Sequence, residues 1–125
     1  MLSISQHQLD ALRAAQERGF RRRAWQHVKS DGAALGNPDD GRLITAFDLS
    51  EGYVRHWGLF CEQVRMGLLK LAILEGDAPF RDPRFAAIMS DSTRPERLRL
   101  RLAAAYLQEV QSTSAAHPQH PRGGR

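Results

Sequence analysis

The sequence has little of what builds covalent or metal cross-links. Its one cysteine, Cys61, excludes an intramolecular disulfide and a cluster of thiolate metal ligands. No two of the five histidines lie four residues apart, and His117 and His120 fall in a polar terminal stretch where ordering two ligands would cost conformational entropy. We therefore expect no metal and no cofactor, and a fold that burial alone can stabilise in a chain of 125 residues.

Long apolar runs are also absent. The longest apolar cluster, residues 68–74, is interrupted by Lys70 and is far shorter than the roughly 20 residues that cross a bilayer. Residues 1–10 alternate polar and apolar side chains and lack the apolar stretch of a secretory signal. We expect neither membrane insertion nor secretion, and we place the protein in the cytoplasm.

A strong excess of one charge is missing too. Lys and Arg number 18 against 14 Asp and Glu, and the formal net charge is +4. Arg122 and Arg125 supply half of it from a terminal stretch without acids, so residues 1–111 are nearly balanced. Nucleic-acid-binding domains usually present a concentrated basic excess, and its absence disfavours nucleic acid as the partner.

Converging reactive groups are the last absence. His56 precedes Cys61 by five residues, but Gly58 breaks the helix between them, and we interpret Cys61 as a packed thiol rather than a nucleophile. Carboxylates such as Asp39 and Asp40 stand at predicted helix ends, where they offset the helix dipole. No phosphate-binding glycine loop or nucleophile elbow occurs, so we expect no catalysis.

Apolar residues at steps of three and four are plentiful, and this period predicts amphipathic helices. We expect an all-α fold, a compact bundle of four to five helices. The predicted helices cover residues 6–29, Asp39 or Asp40 to His56, 60–75, 84–89, and the stretch from a cap at Thr93 to Gln111. Their predicted inward residues are Leu9, Leu12, Gln16, Phe20, Ala24 and Val28, then Leu43, Ile44, Phe47, Val54 and Trp57, then Val64, Leu68, Leu71 and Leu74.

Residues at the helix ends support this division. Ser5 can cap the first helix, Gly58 is placed as the glycine after a helix C-terminus, and Gly76 is a natural stop. Thr93 and Glu96 have the spacing of a capping box. Arg97–Leu102 alternates as a strand would, but the capping box and the alanines that follow favour helix.

The remaining segments are predicted to be irregular. Residues 78–83 contain two prolines and predict an extended connector, because each proline biases its predecessor away from helix. Beyond Ser112 nothing apolar is available to bury. We expect one domain over residues 1–111 and a disordered basic tail over residues 112–125.

Arginine and aromatic side chains are the candidate binding residues. A tryptophan beside arginines has the composition of an interface hot spot, and arginine forks pair with carboxylates. A solvated helix face is the alternative for the arginines, and packing against a neighbouring helix is the alternative for the tryptophan. The candidate partner-binding residues are Arg18, Arg21, Arg22, Trp25, Arg97 and Arg101.

The order of short motifs carries a resemblance over residues 1–110. The chain opens with Ile4–Leu9, has Phe20 before a basic run, and continues with His56-Trp57-Gly58-Leu59, Leu74-Glu75-Gly76 and Phe80-Arg81-Asp82-Pro83. This layout resembles small, uncharacterised helical accessory proteins encoded beside spike or effector genes of bacterial type VI secretion systems. Those relatives carry Thr where this chain has Cys61.

The resemblance implies a protein that binds another protein: a type VI secretion adaptor or effector chaperone. An immunity protein that neutralises a neighbouring toxin is one alternative. A small nucleic-acid-binding regulator is the other. It is supported by two arginine clusters, Arg21–Arg23 and the set Arg94, Arg97, Arg99 and Arg101.

Overall fold

The computed structural model describes residues 5–116. Six α-helices follow one another: α1 (Gln6–Ser30), α2 (Asp40–His56), α3 (Glu62–Glu75), α4 (Ala78–Arg81), α5 (Pro83–Met89) and α6 (Glu96–Ala116). No strand occurs among these residues, and the predicted all-α fold is confirmed. By their contacts the residues fall into two compact units, one ending at Pro38 and the other beginning at Asp39.

The first unit consists of α1 and a short 3-10 turn. Ser5 begins α1 as predicted, and its hydroxyl accepts from the Gln8 N–H while the Gln8 side chain accepts from the Ser5 N–H. Phe20 and Val28 are buried, but Leu12, predicted to face inward, is 52% exposed. The predicted apolar face of α1 is therefore buried only in its C-terminal half. The turn at Gly32–Leu35 was not predicted.

Helices α2 and α3 pack against each other in the second unit. The Gly58 N–H donates to the Arg55 carbonyl and the Leu59 N–H to the Val54 carbonyl, which is a Schellman motif. Gly58 has φ +64°, so its predicted role after the end of α2 is confirmed. Gly76 ends α3 with a positive φ of 71°, also as predicted.

Most residues predicted to face inward on α2 and α3 are buried, which confirms the two predicted faces at those positions. Ile44 and Leu74, also predicted to face inward, are about half exposed, and Leu71 is half-buried. The buried apolar residues are Leu43, Ala46, Phe47 and Val54 of α2, and Val64, Leu68, Leu69, Ala72 and Ile73 of α3.

Two charged side chains also lie inside the α2–α3 pair. Glu51 and Arg65 are 8% and 9% exposed and form an ion pair. The Arg65 Nε donates to Glu51 Oε2 at 3.3 Å, and an Arg65 terminal nitrogen donates to Oε1, so the pair is bidentate. Arg42 of α2 donates to the Ile73 carbonyl near the end of α3 at 2.7 Å. These contacts fix the register of the two helices.

The segment predicted to be an extended connector is mostly helical. Pro79 lies in the first turn of α4, where its missing N–H costs no hydrogen bond. Only Asp82 is extended, as a residue before proline should be, and its carboxylate accepts from the Arg84 and Phe85 N–H groups to start α5. The prediction of an extended connector is therefore wrong, whereas that of a short helix ending at Met89 is confirmed.

Four aromatic rings join α2, α4 and α5. Trp57 and Phe80 stack with centroids 6.2 Å apart, and Tyr53 lies 5.0 Å from Trp57 and 5.1 Å from Phe80. Phe85 contacts Phe80 edge-on at 5.8 Å. Such geometries add to the gain from burial, and they anchor the short α4 and α5.

Helix α6 packs against α3 and α5. It begins at Glu96, so Thr93 lies too far upstream to cap it, and the Thr93 hydroxyl instead donates to Asp91. The predicted capping box is wrong, although the helix itself, over the alternating Arg97–Leu102 stretch, is confirmed. The Tyr106 hydroxyl donates to Asp82 Oδ2 at 2.8 Å and ties α6 to the start of α5.

The chain continues as helix beyond the predicted end of α6. Residues 112–116 are helical, so the prediction that disorder starts at Ser112 is wrong for these residues. The rest of the predicted tail, 117–125, lies outside the described residues. Within residues 5–116, no helix combines the length and apolarity needed to cross a bilayer.

Candidate functional site

A groove lies between α3 and α6. Its volume is about 310 Å³, and its lining consists of Gln63 and Val64 from α3 and Arg97, Leu100 and Arg101 from α6. Val64 is fully buried and Leu100 is half-buried, so the floor is apolar. The two arginines are exposed. The groove therefore combines an apolar floor with a cationic wall.

A glycine of α3 sets how closely the two helices approach at this groove. A Cβ atom on Gly67 would lie 2.8 Å from Leu100 Cδ2, closer than real Cβ contacts. Leu100 thus occupies the space that any side chain at position 67 would need. Because Gly67 accommodates Leu100, the groove floor is shallow and well filled.

Arg97 and Arg101 lie one helical turn apart on α6. Neither forms an ion pair with a carboxylate in the part of the chain that the structure describes. Residues at i and i+4 are neighbours on a helix surface, and like charges there repel by a few tenths of a kcal/mol. The wall of the groove thus carries two guanidinium groups without a neutralising partner.

The other arginines of the predicted Arg94–Arg101 cluster have structural partners. Arg99 is buried and donates to the Arg94 carbonyl at 2.7 Å and to the Met89 carbonyl at 3.2 Å, which ties the end of α5 to the start of α6. Arg94 lies 3.4 Å from Asp91 in an ion pair. Only the two predicted binding residues of this cluster, Arg97 and Arg101, reach the groove.

Glu96, the first residue of α6, fixes the backbone of the two residues that precede α3. The Glu96 carboxylate accepts from the Phe60 N–H at 3.0 and 3.1 Å and from the Cys61 N–H at 2.9 Å. Helix α3 begins at Glu62, two residues after its predicted start at Phe60. The Phe60 side chain is 82% exposed, although its backbone is fixed. An aromatic ring thus projects into solvent from an anchored position next to the groove.

Cys61 is the N-cap residue of α3 and is half-buried. Its interpretation as a packed core thiol is wrong, because α3 starts after it. Partial burial raises the pKa of the thiol, but the Val64 and Gln63 N–H groups and the Arg97 guanidinium outweigh this and bring the pKa below its usual value.

The histidine weighed as a partner for Cys61 lies elsewhere. His56 is exposed at the end of α2, with its ring 6.5 Å from that of Tyr53. The ionisable side chain that acts on the thiol is Arg97, which is a cation at any working pH and cannot serve as a general base. The cation that lowers the pKa of the Cys61 thiol is therefore not a general base.

The predicted binding residues of α1 belong to the first unit. Arg18, Arg21 and Arg22 are exposed, and Trp25 is partly exposed, as expected from its position off the apolar face. The Lys29 ammonium lies 5.6 Å from the centroid of the Trp25 ring, a cation–π contact. These residues share one helix surface, and their role in binding stays a prediction.

Metal-ligating groups do not converge in the part of the chain that is described. His27 Nε2 and Asp31 Oδ2 approach to 3.5 Å, but no third His, Cys, Asp or Glu completes a site within residues 5–116. His117 and His120 lie outside the described residues.

Sequence reasoning found Arg97 and Arg101 but missed the other parts of the groove. Gln63, Val64 and Leu100 line it, and Glu96 fixes its edge. The spacing of Arg97, Leu100 and Arg101 at i, i+3 and i+4 was a usable signal for one wall.

Comparison of this chain with models of protein families, with curated proteins and with solved structures finds no match.

Proposed function

We propose that this chain is a non-catalytic cytoplasmic accessory protein that works by binding another protein, as a type VI secretion adaptor or effector chaperone would. One observation carries the proposal: a groove with an apolar floor and two arginines lies beside an anchored, exposed phenylalanine. Aromatic and arginine side chains are the residues enriched at protein interfaces and their hot spots.

The size of the groove favours a protein partner over a small molecule. A volume of about 310 Å³ is at the lower limit of small-molecule pockets, and this groove is open along its length. Phe60 would lie unused beside a bound small molecule. A partner protein can cover both the groove and the phenylalanine and so bury the exposed apolar surface.

The charge pattern favours a protein over a nucleic acid. Two guanidinium groups at the groove can neutralise only a few phosphates, and non-specific nucleic-acid binding grows with the number of phosphates contacted. Residues 1–111 have nearly balanced charge, which adds little long-range attraction.

The proposal is tested by coexpressing the tagged full chain with the product of each neighbouring gene in turn. We expect one product to copurify, and Phe60→Ala to weaken its binding at least tenfold, as for an aromatic hot spot. Ile44→Ala is the matched control, since Ile44 is also an exposed apolar residue of the second unit, and it should change affinity less than twofold. Failure of every product to bind would contradict the proposal.

The same experiment separates the alternatives. If the captured protein is a toxin whose activity the chain abolishes, the immunity role replaces the adaptor role. If the chain binds no protein but shifts duplex DNA with an affinity that falls steeply with salt, the regulator role replaces both.

A further inference from the structure

We propose that the α3–α6 groove binds an acidic peptide segment of the partner, with an apolar side chain on the groove floor and carboxylates on Arg97 and Arg101. This inference rests on the proposed function, because it assumes that the ligand is a protein. It specifies the chemistry that the groove recognises.

The charge of the groove wall is the first argument. Arg97 and Arg101 are exposed, lie at i and i+4, and have no carboxylate partner within residues 5–116. A ligand carboxylate would relieve their mutual repulsion and accept two parallel hydrogen bonds from a guanidinium fork. Charge complementarity therefore selects an acidic ligand.

The carboxylate of Glu96, the residue before Arg97, is occupied. Both oxygens of Glu96 accept backbone N–H groups of Phe60 and Cys61 at 2.9–3.1 Å. Moving this carboxylate to Arg97 would leave those N–H groups without it, which costs more than a surface ion pair returns. The chain is therefore built so that its own carboxylate does not neutralise the groove.

The floor supplies the second argument. Leu100 presents apolar surface between the arginines and α3, whereas Val64 lines the groove but is itself fully buried. Leu100 packs close to α3 because Gly67 leaves room for it. A shallow apolar floor of this size suits the side chains of a short segment rather than a deeply inserted ring system. An apolar residue between two acidic residues satisfies the floor and the wall together.

The test uses two synthetic helical peptides and the full-length, ¹⁵N-labelled chain. One peptide carries glutamates at positions i and i+4 with a leucine at i+3, so that the three side chains lie on one helix face. The other peptide has glutamine in place of each glutamate. We expect the glutamate peptide to shift the amide signals of Gln63, Val64, Leu100 and Arg101 saturably. The glutamine peptide should bind at least tenfold more weakly. Equal binding of the two peptides would overturn the inference.

Matched variants locate the effect. Arg97→Gln/Arg101→Gln should abolish the shifts, while Arg13→Gln/Arg55→Gln, which removes the same charge from two exposed arginines outside the groove, should leave affinity within twofold of wild type. The exposed single variant Arg101→Gln guards against misfolding of the double variant and should weaken binding about fivefold or more. An equal loss in the Arg13/Arg55 variant would show that net charge alone is responsible, and the inference would fail.

Other outcomes separate this inference from the proposed function. If a neighbouring-gene product binds through Phe60 but the glutamate peptide does not bind, only the acidic-segment inference is wrong. If a duplex oligonucleotide shifts the same amides more tightly than the glutamate peptide at about 0.15 M salt, the groove is a nucleic-acid site and the inference is also wrong. If the peptide binds as expected but no protein copurifies, the proposed function fails while the chemistry of the groove stands.

Discussion

Removal of one partner of the buried ion pair should destabilise the second unit severely. Glu51→Ala leaves Arg65, 9% exposed, without the carboxylate that accepts two of its hydrogen bonds. Breaking a buried pair in this way typically costs about 3–5 kcal/mol, because a charge remains in a poorly hydrated site. Total stabilities are only about 5–15 kcal/mol, so this loss is a large part of the whole.

The loss can be measured by urea and thermal unfolding. At roughly 4 °C per kcal/mol for a chain of this size, the melting temperature should fall by about 12–20 °C. Glu109→Ala is the control, since it removes an exposed carboxylate by the same substitution and should change stability by less than about 0.5 kcal/mol.

A double variant separates two quantities: the stability lost when one buried charge is left unpaired, and the net contribution of the intact ion pair to stability. Glu51→Met/Arg65→Met removes both charges and keeps most of the volume, and such replacements are often neutral or stabilising. We expect it to be at least about 2 kcal/mol more stable than Glu51→Ala. If Glu51→Ala costs no more than Glu109→Ala, the pair is hydrated in solution and this reasoning is refuted.

Three further changes test the interior of α2, the anchor before α3 and the tie between α5 and α6. Gly52→Ala adds a Cβ that meets nothing within 4 Å in the middle of α2, so the free energy of unfolding should rise by about 1 kcal/mol in urea denaturation, and an unchanged midpoint would contradict this. Glu96→Ala removes the acceptor of the Phe60 N–H and should cost about 1–2 kcal/mol and speed amide exchange at Phe60, whereas unchanged exchange would show that Glu96 does not anchor it. Tyr106→Phe should raise the pKa of Asp82, which the Tyr106 hydroxyl lowers by its hydrogen bond, and an unshifted carboxyl titration by NMR would disprove the contact. In wild type the pKa of Asp82 is lower in the folded state than in the unfolded state. The ionised carboxylate therefore stabilises the folded protein above the unfolded aspartate pKa of about 3.9, and this stabilisation is lost as pH falls through the pKa of Asp82 in the folded state. The hydrogen bond to Asp82 raises the pKa of Tyr106. The stability that this bond gives the folded protein is therefore present below the unfolded tyrosine pKa of about 10 and is lost as pH rises through the pKa of Tyr106 in the folded state. Tyr106→Phe should lose the Tyr106 contribution and the part of the Asp82 contribution that depends on their hydrogen bond, while the Arg84 and Phe85 N–H groups retain the rest.

Helix ends could be predicted where the deciding chemistry is local. Ser5 and Asp39 accept N–H groups three residues ahead, and Gly58 closes α2 through its own positive φ. Each of these interactions lies within a few residues of sequence. Such signals are readable because the backbone groups they satisfy are fixed once a helix starts or ends there.

Contacts between distant residues could not be predicted in the same way. Thr93 and Glu96 have the letters of a capping box, but the Glu96 carboxylate binds N–H groups 36 and 35 residues away. The sequence motif is the same whether the carboxylate accepts N–H groups of its own helix or of a distant segment. Which N–H groups it accepts depends on how α6 packs beside α3. The extended connector was mispredicted for a local reason. Each proline was expected to bias its predecessor away from helix, but Pro79 lies in the first turn of α4.

One missed feature had a signal in the sequence. Glu51 follows Phe47 by four residues and precedes Val54 by three, so it falls on the buried face of α2. Arg65 likewise precedes Leu68 by three on α3. Charged residues at inward positions on two adjacent helices suggest a buried pair, although their mutual contact depends on helix register.

The candidate groove was predictable only on one side. Arg97 and Arg101 were identified as members of a dense arginine cluster, but the α3 side of the groove, at Gln63 and Val64, depends on the close approach that Gly67 permits. A glycine inside a helix pattern indicates a close neighbour without naming it. The groove forms only because α3 packs beside the arginines of α6. The periodicity of a single helix does not encode this packing.

Hydrogen–deuterium exchange of the full chain with and without its copurified partner tests the central claim most directly. If this protein works by binding another protein at the α3–α6 groove, amides at the start of α3 and over residues 96–102 should gain protection on binding. Residues 5–18 of α1 should keep their exchange rates. Protection confined to α1, with the two groove segments unchanged, would contradict the account.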